Sequence, residues 1–182
     1  AQMNKELVVV VSAGSVVEMP WIKKAKAVLH GYLGGQAGAS AMLDVITGKV
    51  NPSGKLNETY PICYEDTPAY AYYPGKERNS EYREGVYVGY RYYDTVKKEV
   101  LFPFGFGLSY TDFSYSNLKL SDNGVRFCIT NVGKIAGAEI AQLYIEKENP
   151  AVFRPVHELK GFCKVFVQPG ETKEVEISFE DR

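Results

Sequence analysis

Apolar and polar residues follow an α/β pattern over the first third of the chain. Residues 7–11 form a continuous apolar run, which is typical of a strand covered on both faces of a parallel sheet. Residues 27–33 fit a helix or a strand by pattern alone; we favour a strand, because a glycine pair ends it and a stronger helical pattern follows. In that helix, apolar side chains of residues 37–46 share one face, and Gly48 stands where a left-handed cap is expected. Residues 56–60 predict a short closing strand.

The pattern breaks down over residues 61–110, which are rich in proline, glycine and tyrosine. These residues indicate little regular structure, and residues 81–94 contain too much glycine and tyrosine to favour a helix. Disordered segments are poor in aromatic residues, so we expect this segment to be ordered. The rings of Tyr87, Tyr90 and Tyr92 are expected to pack against a folded surface.

From residue 111 onward the apolar residues recur with a period of two. Residues 113–120, 125–129, 140–145, 165–167 and 175–179 predict about five strands with turns between them, which is typical of a β-sandwich. A sandwich of this kind has about seven strands, so we expect an incomplete one. Its open edges predict exposed core side chains, such as Phe127 and Ile177, and self-association into dimers or larger species.

Composition narrows the range of partners. The formal net charge of the 182 residues is −1, and the basic residues are scattered, which argues against a nucleic-acid partner. The longest apolar run is too short to cross a bilayer, so no membrane partner is expected. The cysteines, Cys63, Cys128 and Cys163, are odd in number and lack metal-ligand spacing. They favour free thiols in a reducing compartment such as the cytoplasm, although a fragment's first residue says nothing about export.

Glycines, serines and histidines offer no clear reactive or binding motif. The run of residues 34–38 opens a helix after a strand, but its spacing fits no phosphate-binding pattern, and tight turning explains it better. The serines lie outside a nucleophile-elbow context. His30 and His157 fall in different predicted domains, so neither a catalytic triad nor a metal site is predicted. We predict no cofactor and no metal-binding residue.

Carboxylates and aromatic rings leave more than one interpretation open. The acidic residues Glu81, Glu84 and Asp94 are expected to neutralise nearby arginines rather than to form a catalytic pair. Glu18 follows a strand, where ligands of open α/β sheets bind, yet a capping or interface role is favoured. Several aromatic residues have the chemistry to stack on sugars, but packing is the favoured role of most: Trp21, Tyr82, Tyr87, Tyr90, Tyr92 and Tyr93.

Co-linear motifs resemble glycoside hydrolase family 3, the β-glucosidase family, along nearly the whole chain. Residues 81–94 read EYREGVYVGYRYYD and residues 101–110 read LFPFGFGLSY; this pair resembles the run that joins the family's α/β sandwich domain to its fibronectin-III-like domain. Residues 8–21, 35–44 and 51–56 resemble blocks of the α/β sandwich, and residues 131–137 and 158–162 resemble the fibronectin-III-like domain. Many members carry a glutamate where Ala37 stands, so any role of that acid is absent here.

The resemblance implies part of an enzyme that hydrolyses β-linked glucosides with retention, using two carboxylates. The family's nucleophile lies on a separate barrel domain and its acid/base glutamate in a loop before this block, so no catalytic residue is carried over. The predicted fold is the end of an α/β sandwich domain in residues 1–60, an aromatic connector in 61–110 and a truncated fibronectin-III-like β-sandwich in 111–182. The implied partners are the missing barrel domain and, in the parent enzyme, a β-glucoside or oligosaccharide. The alternative is a non-catalytic carbohydrate-binding or interaction module.

Overall fold

The structure, a computed structural model, describes residues 4–75 and 78–179. Contacts divide the chain into two compact units. Unit 1 contains the described residues up to Lys49 together with Asn57–Phe104, and unit 2 contains Val50–Leu56 together with the described residues from Gly105 onward. The units therefore interleave along the sequence, since each contains two separate stretches of the chain.

Unit 1 begins with two parallel strands, β1 (Val8–Val11) and β2 (Ala27–His30), joined through a 3₁₀ turn at Ile22–Lys24. Helix α1 (Gly38–Ile46) follows, and Gly48 after it adopts φ 74°, the left-handed conformation expected of a cap. The short strands β3 (Tyr60–Pro61) and β4 (Val100–Phe102) pair antiparallel. Between them lie a 3₁₀ turn at Tyr64–Asp66 and helix α2 (Tyr90–Thr95). Strand, helix and parallel pairing confirm the predicted α/β class.

Three expectations for unit 1 are wrong. The apolar run is not covered on both faces, since Val8 and Val10, which point to the same side of β1, remain 52% and 43% exposed. The closing strand is limited to Tyr60–Pro61, because the backbone of Leu56 bonds instead to Phe106 and Gly105. Residues 90–95 are helical despite their composition, because the buried Tyr93 anchors one face of that short helix.

The described residues of unit 2 form five antiparallel strands in two sheets. The first sheet has the order β5-β6-β9, and the second pairs β7 with β8. The bounds are β5 (Phe113–Ser121), β6 (Gly124–Asn131), β7 (Gly137–Ile145), β8 (Glu158–Val167) and β9 (Thr172–Ser178). The five strands predicted from the period-two pattern are confirmed, and together they form the expected β-sandwich.

The core of unit 2 lies between its two sheets. Register places Val125 opposite Ile177 and Phe127 opposite Val175, so neighbouring strands of the first sheet direct apolar side chains to the same side. Ala141 and Val167 from the second sheet complete the buried cluster. Phe127 and Ile177 are 6% and 5% exposed, so the expectation that they lie uncovered is wrong. Side chains from both sheets therefore cover one another in the described part of unit 2.

Candidate functional site

A groove of about 470 Å³ lies in the described part of unit 1. Its walls come from the segment that leads into β3, from the turn after Asp66 and from the stretch that contains α2. Glu58, Glu84 and Arg91 contribute the charged groups. A mixture of apolar lining and a few converging polar groups is typical of small-molecule sites.

Local backbone geometry shapes one side of this groove. Gly89 has φ 56°, a conformation that side chains rarely adopt, and it allows the chain to turn sharply into α2. Tyr90, the first residue of α2, stacks on Phe104 with ring centroids 4.9 Å apart. Tyr93 points inward and is 4% exposed, and burial raises its pKa to about 12.

The aromatic segment is packed only in part. Tyr87, Tyr90 and Tyr92 are half-buried, which confirms the expectation for these rings. Tyr82 is 86% exposed and Tyr73 70% exposed, so the segment does not bury all of its rings. Trp21 is half-buried at the start of the 3₁₀ turn at Ile22–Lys24.

The carboxylates singled out in the sequence do not form one cluster. Glu18 Oε1 accepts a hydrogen bond from the backbone N–H of Tyr64, at the start of the 3₁₀ turn at Tyr64–Asp66. This contact satisfies a donor that the turn itself leaves unpaired, which is the capping role favoured above. Glu81 forms an ion pair with Arg83, as expected, and Arg83 also lies over the ring of Tyr72. Glu84 lines the groove instead.

The structure also contains an ion pair, between Lys98 and Asp66, that the sequence did not predict. Lys98 Nζ lies 2.7 Å from Asp66 Oδ1, and this hydrogen bond, with a second from Cys63, lowers the pKa of Asp66. The hydrogen bond between Cys63 and Asp66 in turn raises the pKa of the Cys63 thiol. Asp66 and Lys98 are far apart in the sequence, so no local periodic pattern predicts that they meet.

The two histidines lie in different units. His30 ends β2 and its ring lies 3.8 Å from that of Tyr32, centroid to centroid, while His157 packs edge-on against Tyr144 in unit 2. The glycine run after β2 turns tightly, since a Cβ on Gly34 would lie 2.7 Å from the Cα of Gly38. This close approach supports the turning role favoured for these glycines.

Unit 2 contains a polar junction around Lys55 and Glu139 that the sequence did not predict. Lys55 Nζ lies 3.2 Å from Glu139 Oε2 and donates a 2.9 Å hydrogen bond to the Gly107 carbonyl. Both charged side chains are largely buried, at 17% and 14% exposure. The Tyr115 hydroxyl donates to Glu139 Oε1, and burial together with the Glu139 charge raises the pKa of Tyr115.

Asn51 organises the same junction. Its amide donates to the Ala136 carbonyl at 3.1 Å, and its Oδ1 accepts from the Ser109 hydroxyl and the Tyr110 backbone N–H. The residues 51–56 and 105–111 therefore lie together against β7. Only the family resemblance of residues 51–56 and 101–110 signalled that these stretches matter.

Other classes of site find no support among the residues that the structure describes. The three cysteines are free thiols, and no group of three or more acidic, histidine or cysteine side chains is arranged to hold a metal ion. None of the helices in residues 4–75 and 78–179 is long and apolar enough to cross a bilayer.

Comparison with known proteins relates both units to one family of enzymes. Residues 1–110 match the family model of the glycosyl hydrolase family 3 C-terminal domain, and residues 139–182 match that of the fibronectin type III-like domain. The chain is 52% identical to thermostable β-glucosidase B of Acetivibrio thermocellus, with all of this chain but 25% of that protein covered. It is 45% identical to an exo-α-(1→6)-L-arabinopyranosidase of Bifidobacterium breve, with the same shares covered.

Solved structures extend the similarity to the fold. The crystal structure of a GH3 β-glucosidase from Bifidobacterium adolescentis superposes with a TM-score of 0.92 at 48% identity, covering 97% of this chain and 27% of that one. The chain thus spans about a quarter of the length of the curated relatives it matches.

Proposed function

The chain belongs to glycoside hydrolase family 3, and we propose that it forms part of an enzyme that hydrolyses terminal β-linked glucosides. Within that enzyme its role is structural: it supplies the end of the α/β domain and the β-sandwich, while the reacting carboxylates lie elsewhere. The observation that carries this proposal is the continuous similarity of the whole chain to β-glucosidases, across both units.

The chemistry of retaining hydrolysis supports a non-catalytic role for these residues. Retention requires two carboxyl groups about 5–5.5 Å apart on opposite sides of the scissile bond. Glu18 accepts a hydrogen bond from the backbone N–H of Tyr64, and Glu81 forms an ion pair with Arg83. Glu139, the most enclosed of the paired carboxylates described above, is neutralised by Lys55 and accepts from Tyr115. None of these three is presented as a free nucleophile.

The proposed partner is the remainder of the parent enzyme, including a barrel domain that supplies the nucleophile. The surface of unit 1 supports this partner, because β1 and α1 leave apolar side chains uncovered: Val8, Val10, Leu43 and Ile46 are each 43–58% exposed. Apolar side chains left exposed in this way are available for contact with a partner domain. The proposed substrate is a β-glucoside or an oligosaccharide bound by the assembled enzyme.

The experiment compares the purified chain with a mixture of the chain and the separately expressed remainder of a close relative. We expect no hydrolysis of an aryl β-glucoside by the chain alone and recovery of activity in the mixture. A mixture that contains heat-denatured chain serves as the control. Turnover by the chain alone, abolished by Glu84→Gln or Glu58→Gln, would overturn the structural role.

A second candidate function is carbohydrate binding without catalysis, and the exposed rings of Tyr73 and Tyr82 favour it. Exposed aromatic faces are suited to stacking on sugar rings. Glycan-array binding by the chain, lost in Tyr82→Ala and retained in Leu118→Ala, would support this candidate. A chain that binds no glycan but restores hydrolysis in the mixture would exclude it.

A further inference from the structure

Unit 1 contains a buried cluster of polar atoms that protein groups leave unsatisfied. Around the end of β2 and the start of β3, four side chains each place one polar atom out of contact with solvent and without a hydrogen-bond partner in the described part of the chain. We call them the polar cluster: His30 (Nε2), Glu58 (Oε2), Thr59 (Oγ1) and Tyr60 (hydroxyl). Thr59 and Tyr60 are 6% and 1% exposed as whole residues.

These side chains are neighbours rather than isolated cases. The His30 ring lies 3.8 Å from that of Tyr32 and 5.9 Å from that of Tyr60, centroid to centroid. Burial, followed by the nearby Tyr32 and the Glu58 charge, raises the pKa of Tyr60 to about 12. Burial raises the pKa of Tyr32 as well, a hydrogen bond with the Asn57 backbone opposes this shift, and the Glu58 charge adds to it. Glu58 thus lies within electrostatic reach of both phenols.

The cluster offers a complementary set of donors and acceptors. His30 Nδ1 lies 3.3 Å from the Val11 carbonyl, so a proton on Nδ1 makes Nε2 an acceptor. Glu58 Oε2 is an acceptor, and the hydroxyls of Thr59 and Tyr60 can each donate and accept. A buried polar atom without a partner costs about 1–3 kcal/mol, so four such atoms would destabilise the unit severely if nothing bound them.

A water molecule can satisfy this set of donors and acceptors. It both donates and accepts, and buried water typically makes about three hydrogen bonds to polar groups that the protein leaves unsatisfied. The polar cluster also joins elements that no ladder connects, since β2 and β3 belong to different sheets. Glu58 and Thr59 line the groove as well, so the cluster lies directly behind its wall.

We propose that the polar cluster is a buried hydration site, in which one or more ordered water molecules bridge the end of β2 to residues 58–60. The bridging water stabilises the wall of the groove from behind. This inference is independent of the proposed function, because it concerns only groups within unit 1.

A high-resolution crystal structure of the chain tests the site directly. We expect at least one water within hydrogen-bond distance of two or more of the four atoms. Direct hydrogen bonds among His30, Glu58 and the hydroxyls, with no solvent between them, would overturn the proposal.

Water-¹⁷O relaxation dispersion provides a second test in solution. Tyr60→Phe and Thr59→Val each remove one hydroxyl from the cluster, and we expect both to lower the number of long-lived buried waters. Tyr93→Phe is the matched control, because it removes a buried tyrosine hydroxyl outside the cluster and should leave that number unchanged. Equal dispersion in the wild type, Tyr60→Phe and Thr59→Val would contradict the proposal; if a variant fails to fold, the crystal structure decides.

Discussion

The Thr111 hydroxyl donates a 2.7 Å hydrogen bond to Oδ1 of Asn131, a side chain with no exposed surface. The Asn131 amide in turn donates to the carbonyls of Ile135 and Val167, and its Oδ1 also accepts from the Gly133 backbone N–H. One amide side chain therefore joins the end of β6, the turn after it and the end of β8. A buried amide satisfied at both ends specifies a unique arrangement of these segments.

Replacing Asn131 by alanine should destabilise unit 2 by at least about 2 kcal/mol, because buried groups such as the Thr111 hydroxyl lose their partner. Urea unfolding followed by far-UV circular dichroism measures the change. Asn123→Ala is the control, since that side chain is exposed, and it should change the free energy of unfolding by less than about 0.5 kcal/mol. Equal stability of the two variants would contradict the role assigned to Asn131.

Removing the Lys55 ammonium should also destabilise unit 2, because it leaves the enclosed Glu139 carboxylate uncompensated. We expect Lys55→Met to cost about 1.5–3 kcal/mol, the range for hydrogen bonds to charged groups. Lys49→Met provides the comparison, since the Lys49–Asp44 pair is more exposed and such pairs contribute about 0.2–1 kcal/mol. The ranking of the two variants in denaturant unfolding is the result to check.

A methyl group at position 107 should displace residues 51–56 from their place against β7. A Cβ on Gly107 would lie 2.3 Å from the Gly54 carbonyl oxygen, which belongs to the backbone and cannot turn aside. Gly107→Ala should therefore cost about 1–3 kcal/mol, as overpacking does. Gly54→Ala is the matched control, since its Cβ meets nothing within 4 Å. Amide exchange of Leu56, bonded to the Phe106 carbonyl at 2.7 Å, should accelerate only in Gly107→Ala.

Stability should fall as the pH rises from 10 to 12. Burial raises the pKa of Tyr60 and of Tyr93 from 10.0 to about 12, so above pH 10 the unfolded chain loses these protons before the folded chain does. Their contribution is complete below pH 10 and is lost as the pH passes about 12; each amounts to roughly 2–3 kcal/mol. The double variant Tyr60→Phe/Tyr93→Phe should lose less stability over this interval, as urea unfolding at several pH values will measure. Identical pH profiles would contradict this assignment.

The chain should associate with itself through the second sheet of unit 2. In the described residues β8 pairs with β7 alone, and it leaves Phe162 and Phe166 at 69% and 51% exposure. An unpaired edge beside exposed rings is a template for another copy. Sedimentation equilibrium should show dimers or larger species that Phe162→Lys/Phe166→Lys shifts towards monomer. Val152→Lys is the control: Val152 is an exposed loop residue, so this variant should leave the degree of association unchanged. A strict monomer at high protein concentration would contradict the prediction.

The sequence by itself determined the class of each half of the chain and its family. Val125, Phe127 and Ile129 alternate with polar residues, and this local period predicts a strand because successive side chains point to opposite faces. All three are buried in β6. Likewise, the apolar face and terminal glycine of α1 are local signals, since helix periodicity and capping depend on neighbours in the sequence.

Only the tertiary structure decided which distant residues meet. Lys55 and Glu139, or His30 and Tyr60, are far apart in sequence, and no local period encodes their contact. Helix α2 formed against its composition because burial of Tyr93 outweighs the weak helix propensity of its neighbours. Val8 stayed exposed although its sequence pattern predicted cover, because burial depends on which layer lies against a strand. Long-range packing and hydrogen bonding, rather than periodicity, therefore set the groove and the junctions of this protein.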